Sequence, residues 1–68
     1  SRKEFELLVL LASKPTKVFT REEISSQVWK REYDKLDRTI DVHILRIRQK
    51  LGDGFIQTQK GIGYRFIS

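Results

Sequence analysis

An α+β fold is predicted by three features of the 68-residue sequence. Two Ser/Thr-x-x-Glu patterns, at Ser1–Glu4 and Thr20–Glu23, each open a helical stretch. A third stretch carries Ile40, Ile44, Ile47 and Leu51 on one side and cations on the other. The tail reads as two strands joined by Lys60-Gly61-Ile62-Gly63. The order of elements is helix, short strand, helix, helix, hairpin, which is a helix-turn-helix with a wing. Residues 1–68 make one domain, since a chain this short buries only about 60% of its unfolded surface.

The first helix is expected over residues 2–12, with Ser1 accepting from the Glu4 amide and Glu4 reaching back. Phe5, Leu8, Val9 and Ala12 form one stripe, while Leu7, Leu10 and Leu11 lie off it. Either a preceding element covers the surplus, making the chain a fragment, or Leu7 and Leu10 are exposed. Pro15 ends this helix, and Val18-Phe19 reads as a short strand. The second helix starts at Thr20 and buries Ile24, Val28 and part of Trp29. Residues 31–36 form a polar loop anchored by Tyr33 and Leu36, and Asp37 suits the N-cap of the third helix. Gly52-Asp53-Gly54 stops that helix, and strands are expected over 55–59 and 64–67.

Composition narrows the function. An apolar fraction of 38% is too high for a disordered polyelectrolyte. With no cysteine and one histidine, neither a disulfide framework nor a Cys/His zinc site is available. No cofactor, metal or catalytic constellation is expected. No apolar run approaches a membrane span, so a cytoplasmic protein without a membrane partner is the expectation. The net charge of +5 favours polyanions. Residues 1–34 hold seven Lys/Arg and six Asp/Glu, a net of +1, whereas residues 35–68 hold seven and three, a net of +4.

The third helix carries the functional signal. Opposite its Ile40/Ile44/Ile47/Leu51 stripe lie Arg38, Val42, Leu45 and Gln49, with Arg46 on the shoulder. Thr39, His43 and Lys50 line one flank and Asp41 and Arg48 the other. An ordinary solvated helix would pair Glu with Lys four residues apart, but here the cations face only Asp41. Val42 and Leu45 gain nothing in water, yet in a major groove they can pack on thymine methyl groups. Arg46 is suited to guanine and Asp41 to cytosine N4. Arg38 and Thr39, on the first turn, can reach phosphate. Lys60 at the hairpin tip, with Thr58 and Tyr64, can touch the backbone or the minor groove. The bland alternatives are strand packing for Thr58 and Tyr64, a solvated turn for Lys60, core for Trp29 and surface packing for His43.

Glu4-Phe5-Glu6-Leu7-Leu8, Thr20-Arg21-Glu22-Glu23-Ile24, Val28-Trp29, the run from Asp37 through Gly52, and Gly61-Ile62-Gly63-Tyr64-Arg65-Phe66 together resemble a known family. Across essentially the whole chain they are similar to the OmpR/PhoB-type effector domain of bacterial two-component response regulators. The resemblance implies a winged helix-turn-helix that binds promoter DNA, commonly as head-to-tail dimers on direct repeats. By position it implies phosphate contacts from Arg38, Thr39, His43, Arg48, Trp29 and Tyr64. It further implies base reading by Asp41, Val42 and Arg46, and Lys60 at the minor-groove position of the wing. Residues 31–36 match the segment that family members turn towards RNA polymerase. Leu45 stands where an arginine is frequent, Lys60 replaces a more usual arginine, and the 52–54 connection is short. The family's N-terminal four-stranded sheet and phosphorylatable receiver domain are expected upstream and are absent from these residues. A protein-interaction module using Val42 and Leu45, or a non-specific nucleic-acid binder, are the alternative functions.

Overall fold

A computed structural model describes residues 1–67. Its elements are α1 (Arg2–Ser13), β1 (Phe19–Thr20), α2 (Arg21–Ile24, running on as a π-helical turn over Ser25–Trp29), α3 (Thr39–Leu51), β2 (Ile56–Gln59) and β3 (Gly63–Phe66). The three helices, short strand and hairpin of the predicted fold are all present. Sequence reading stopped at the hairpin, but the sheet has three antiparallel strands in the order β1-β3-β2. Phe19 pairs with Tyr64 and Thr20 with Gly63. Gly63 permits that approach, because a Cβ there would lie 1.9 Å from the Phe19 carbonyl oxygen. Among the described residues no helix is long and apolar enough to cross a membrane.

The register of α1 differs from the expected one. Leu7 and Leu11 are fully buried, whereas Phe5 is 67% exposed and Val9 is also exposed. Of the expected stripe, Phe5 and Val9 thus face outward while Leu8 and Ala12 are half-buried, and the idea that Leu7 and Leu10 are exposed is overturned, since Leu10 packs half-buried against the core. Leu7 and Leu11 are the positions that reach the isoleucines of α3 and the Phe19–Tyr64 end of the sheet within one core. The capping box is half formed. Ser1 Oγ accepts from the Glu4 amide at 3.3 Å, while the Glu4 carboxylate accepts from Lys50 Nζ at 2.7 Å and lies 3.8 Å from the Ser1 ammonium, an ion pair too long for the return hydrogen bond. That bond holds the Glu4 pKa below the usual value against an opposing effect of burial.

At α2 the box closes fully. Thr20 Oγ1 accepts from the Glu23 amide at 3.1 Å, and Glu23 Oε1 accepts from the Thr20 amide at 2.9 Å. Ile24 and Val28 are buried and Trp29 is half-buried, as expected. Lys30 then takes a left-handed conformation (φ 58°) that ends the helix. In the loop that follows, Tyr33 packs on the core but Leu36 is 87% exposed, so Leu36 is no anchor. The backbone turn explains this: the Leu36 amide donates to Asp34 Oδ1 and the Asp37 amide to the Asp34 carbonyl, which leaves the Leu36 side chain outside.

The N-cap position of α3 is Arg38, one residue later than expected, and its side chain makes no cap bond. Asp37 still does the capping chemistry, accepting from the Thr39 amide at 2.9 Å and from its hydroxyl at 2.5 Å. The Thr39 hydroxyl bond, then the amide bond, hold the Asp37 pKa below its usual value. Ile40, Ile44 and Ile47 are buried as the periodicity requires. Leu51 is not; at the last turn of α3 it is 48% exposed and lines an open groove with Phe5 and Leu8.

Candidate nucleic-acid interface

The fixed inward face of α3 determines what it presents outward. With Ile40, Ile44 and Ile47 packed against α1 and the sheet, Arg38, Val42, Leu45, Arg46 and Gln49 are exposed together. Val42 and Leu45 lie in the middle of this cationic face, 39% and 55% exposed. The hairpin projects Lys60, also exposed, at its tip. Gly61 (φ 76°) makes the reversal possible, and the Ile62 amide donates to the Gln59 carbonyl at 2.9 Å. The predicted base-facing and wing residues therefore share the solvent, apart from Asp41.

One flank of the helix is ordered by packing. His43 Nδ1 bonds the Thr39 carbonyl at 2.8 Å; since that oxygen can only accept, Nδ1 carries the proton. Trp29 meets the His43 ring edge to face, with centroids 5.1 Å apart. Trp29, Thr39 and His43 are brought together as one half-buried ledge beside the outward face.

The other flank is a junction that sequence reasoning did not foresee. Asp41 Oδ1 accepts from Arg21 Nε at 3.2 Å and from the Tyr64 hydroxyl, and Asp41 Oδ2 accepts from Arg38 at 3.3 Å. Arg21 also donates to the Tyr64 oxygen at 3.3 Å and lies over its ring, 5.0 Å from the centroid. Arg48 lies 5.8 Å from the same ring centroid and donates to the Ile56 carbonyl and Thr58 Oγ1, each at 2.8 Å. Tyr64 is only 4% exposed. Burial, and then the bond to Asp41, push its pKa up, so it is a neutral donor. Burial alone would lower the Arg21 pKa; Tyr64 and Asp41 reverse that and raise it.

Asp41 thus faces Arg21 and Tyr64, and Arg48 joins α3 to the hairpin at Ile56 and Thr58. Lys50 pairs with Glu4 on α1, so Asp41 is not the sole anion available to the cations of α3. Arg21, which sequence reading passed over, sits 20 residues before Asp41 and 43 before Tyr64, and no local spacing signals such a contact.

Residues 1–66 match the family described as "Transcriptional regulatory protein, C terminal". The chain belongs to that family. It is one of transcription regulators, not an enzyme class. Among relatives, the heme response regulator HssR of Staphylococcus epidermidis is 51% identical over 67 residues, covering 93% of this chain. HssR of Staphylococcus aureus is 45% identical over the same length. The chain spans 30% of the length of these curated relatives. The DNA-binding domain of CpxR from E. coli superposes with a TM-score of 0.91 at 36% identity, covering 100% of this chain and 72% of that one. The Klebsiella pneumoniae RstA DNA-binding domain, in complex with the RstA box, gives 0.90 at 32% identity, covering 98% of this chain and 71% of that one. The winged helix-turn-helix is thereby established.

Proposed function

We propose that this domain binds double-stranded DNA sequence-specifically as the effector part of a bacterial response regulator acting in the cytoplasm. The observation that carries the proposal is the exposed cationic face of α3 with Val42 and Leu45 partly exposed at its centre, beside a hairpin tipped by Lys60. In this reading α3 lies in the major groove. Arg46 donates to guanine, and Val42 and Leu45 pack on thymine methyl groups. Arg38, Thr39, His43 and Trp29 hold phosphates, and Lys60 enters the minor groove or touches its rim. The relative crystallised with its DNA box supports the assignment.

Two partner roles extend the proposal. The loop carrying Leu36 is stiffened by Asp34, Arg31 and Asp37 and offers an apolar side chain to a protein, which suits contact with RNA polymerase. Head-to-tail dimers would place two such domains on direct repeats. Selecting duplexes from a random pool tests the central claim. A specific reader yields one enriched site whose affinity falls by about 1–3 kcal/mol per altered base pair. No enrichment, with weak binding that depends only on salt, would instead leave Val42 and Leu45 as a patch for a protein partner.

A further inference from the structure

We infer that Asp41 is a positioning residue that reads no base: with Arg21 and Tyr64 it fixes the hairpin at one angle to α3, and Lys60 reaches DNA only while that junction is intact. The inference rests on the DNA-binding reading above. Its basis is the occupancy of the carboxylate. Both Asp41 oxygens already accept from side chains of three different segments, at Arg21, Arg38 and Tyr64. Turning towards a base would strip a nearly buried Tyr64 hydroxyl and the Arg21 guanidinium of their anion, and an unmet buried donor is expensive.

The backbone ties the hairpin down along one edge only. β2 and β3 form a ribbon joined to β1 by two residue pairs and flanked by the Arg21 amide to Ile62 and Thr16 amide to Phe66 bonds, all of them on β3 or the turn that precedes it, whereas α3 makes no backbone bond to the hairpin among those described. Ribbons of this kind twist easily. What braces this one against α3 is side chains. The Arg21 and Arg48 guanidiniums lie 5.0 and 5.8 Å from the Tyr64 ring centroid, and Arg48 of α3 grips the hairpin at Ile56 and Thr58. Arg38 is the outlying member: its side chain is 79% exposed and bonds Asp41 Oδ2 through one terminal nitrogen only, so its other N–H groups can meet a phosphate while that oxygen stays covered.

The test uses the duplex that the unmodified chain selects from a random pool. The slope of log affinity against log salt is measured for the unmodified chain, Lys60→Ala, Tyr64→Phe and the double variant. Each phosphate contact contributes about −0.9 to that slope. Lys60→Ala is expected to flatten it by about 0.9 in the unmodified chain and by much less in Tyr64→Phe. Asp41→Asn is expected to weaken all duplexes by roughly threefold or more while keeping the base preference of α3. Equal Lys60→Ala effects in both backgrounds overturn the inference. So does no effect of Lys60→Ala in the unmodified chain, or an Asp41→Asn profile altered at one base pair. Arg21→Gln leaves the Tyr64–Asp41 bond in place and carries the same expectation as Tyr64→Phe, should that variant not fold. A chain that selects no duplex overturns the DNA-binding reading itself; the other failures overturn the positioning role alone.

Discussion

Gly63→Ala tests the packing logic of the whole domain. A methyl at Gly63 would sit 1.9 Å from the Phe19 carbonyl oxygen, 2.8 Å from its carbon and 2.9 Å from the Thr20 Cα. All three are backbone atoms, so no side chain can swing aside. Restoring ordinary contact, about 3.4 Å, requires β1 and β3 to part by about 1.5 Å, which breaks the pairing of Phe19 with Tyr64 and of Thr20 with Gly63. The neighbouring bonds from the Arg21 amide to Ile62 and the Thr16 amide to Phe66 span the same seam. Each lost bond is worth about 1 kcal/mol net, and partial exposure of Phe19 adds about 1–2 kcal/mol. The expected loss is about 4 kcal/mol. A domain of this size has about 3–10 kcal/mol in total, so the loss takes about two-fifths of it or more. Urea unfolding followed by circular dichroism measures this, with Gly61→Ala as the comparison. Gly61 needs a left-handed φ but has open space around it, so that change should cost only about 1 kcal/mol. Equal midpoints for the two variants would refute the close-approach argument.

Other expectations follow from the same geometry. Arg46→Ala should relax base preference at one position, by about 1–3 kcal/mol, while Arg38→Ala should weaken all duplexes nearly equally; identical specificity profiles for Arg46→Ala and the unmodified chain would defeat the first half. Glu4 and Asp37 have pKa values held below their ordinary ones, by the Lys50 bond and the Thr39 bonds respectively. Their contribution is therefore present above the unfolded carboxylate values near ~4 and disappears as pH falls through the lower folded values. Acid unfolding should thus be shallower in Glu4→Gln, and unchanged steepness would count against it. Thr16, a β-branched residue at φ 72° in the turn whose Lys17 amide donates to Lys14, is strained. Thr16→Gly should gain about 1 kcal/mol, raising the thermal midpoint by roughly 4–8 °C; a lower midpoint would show that the turn is relaxed.

Much of the fold was legible because local rules agreed with the global answer. The Thr20–Glu23 box, the +4, +3 spacing of Ile40, Ile44 and Ile47, and the two glycines around Ile62 each had one physical solution. α1 was harder. Phe5, Leu7, Leu8, Val9, Leu10 and Leu11 coat several sides, so periodicity could not choose the inward one, and a buried Glu4 sits on the face that the core selected. Leu36 and Leu51 looked like core because leucine usually is, but their exposure depends on a turn and on a helix end. For the candidate site, the outward face of α3 and the Lys60 tip were readable from the same helical register. The Arg21–Asp41–Tyr64 junction was not, since its members are 20 to 43 residues apart and meet only through tertiary folding.

The strand order has a consequence for how the domain is made. β3 is the last strand to appear in the chain, yet it lies between the other two and carries bonds to both. A nascent chain leaving the ribosome can therefore form its helices early, but the Phe19 and Ile56 strands have no partner until residues 63–66 emerge. Until then the cluster around Leu7, Phe19 and Ile44 is open on one side, and chaperones or proteases would meet it in that interval.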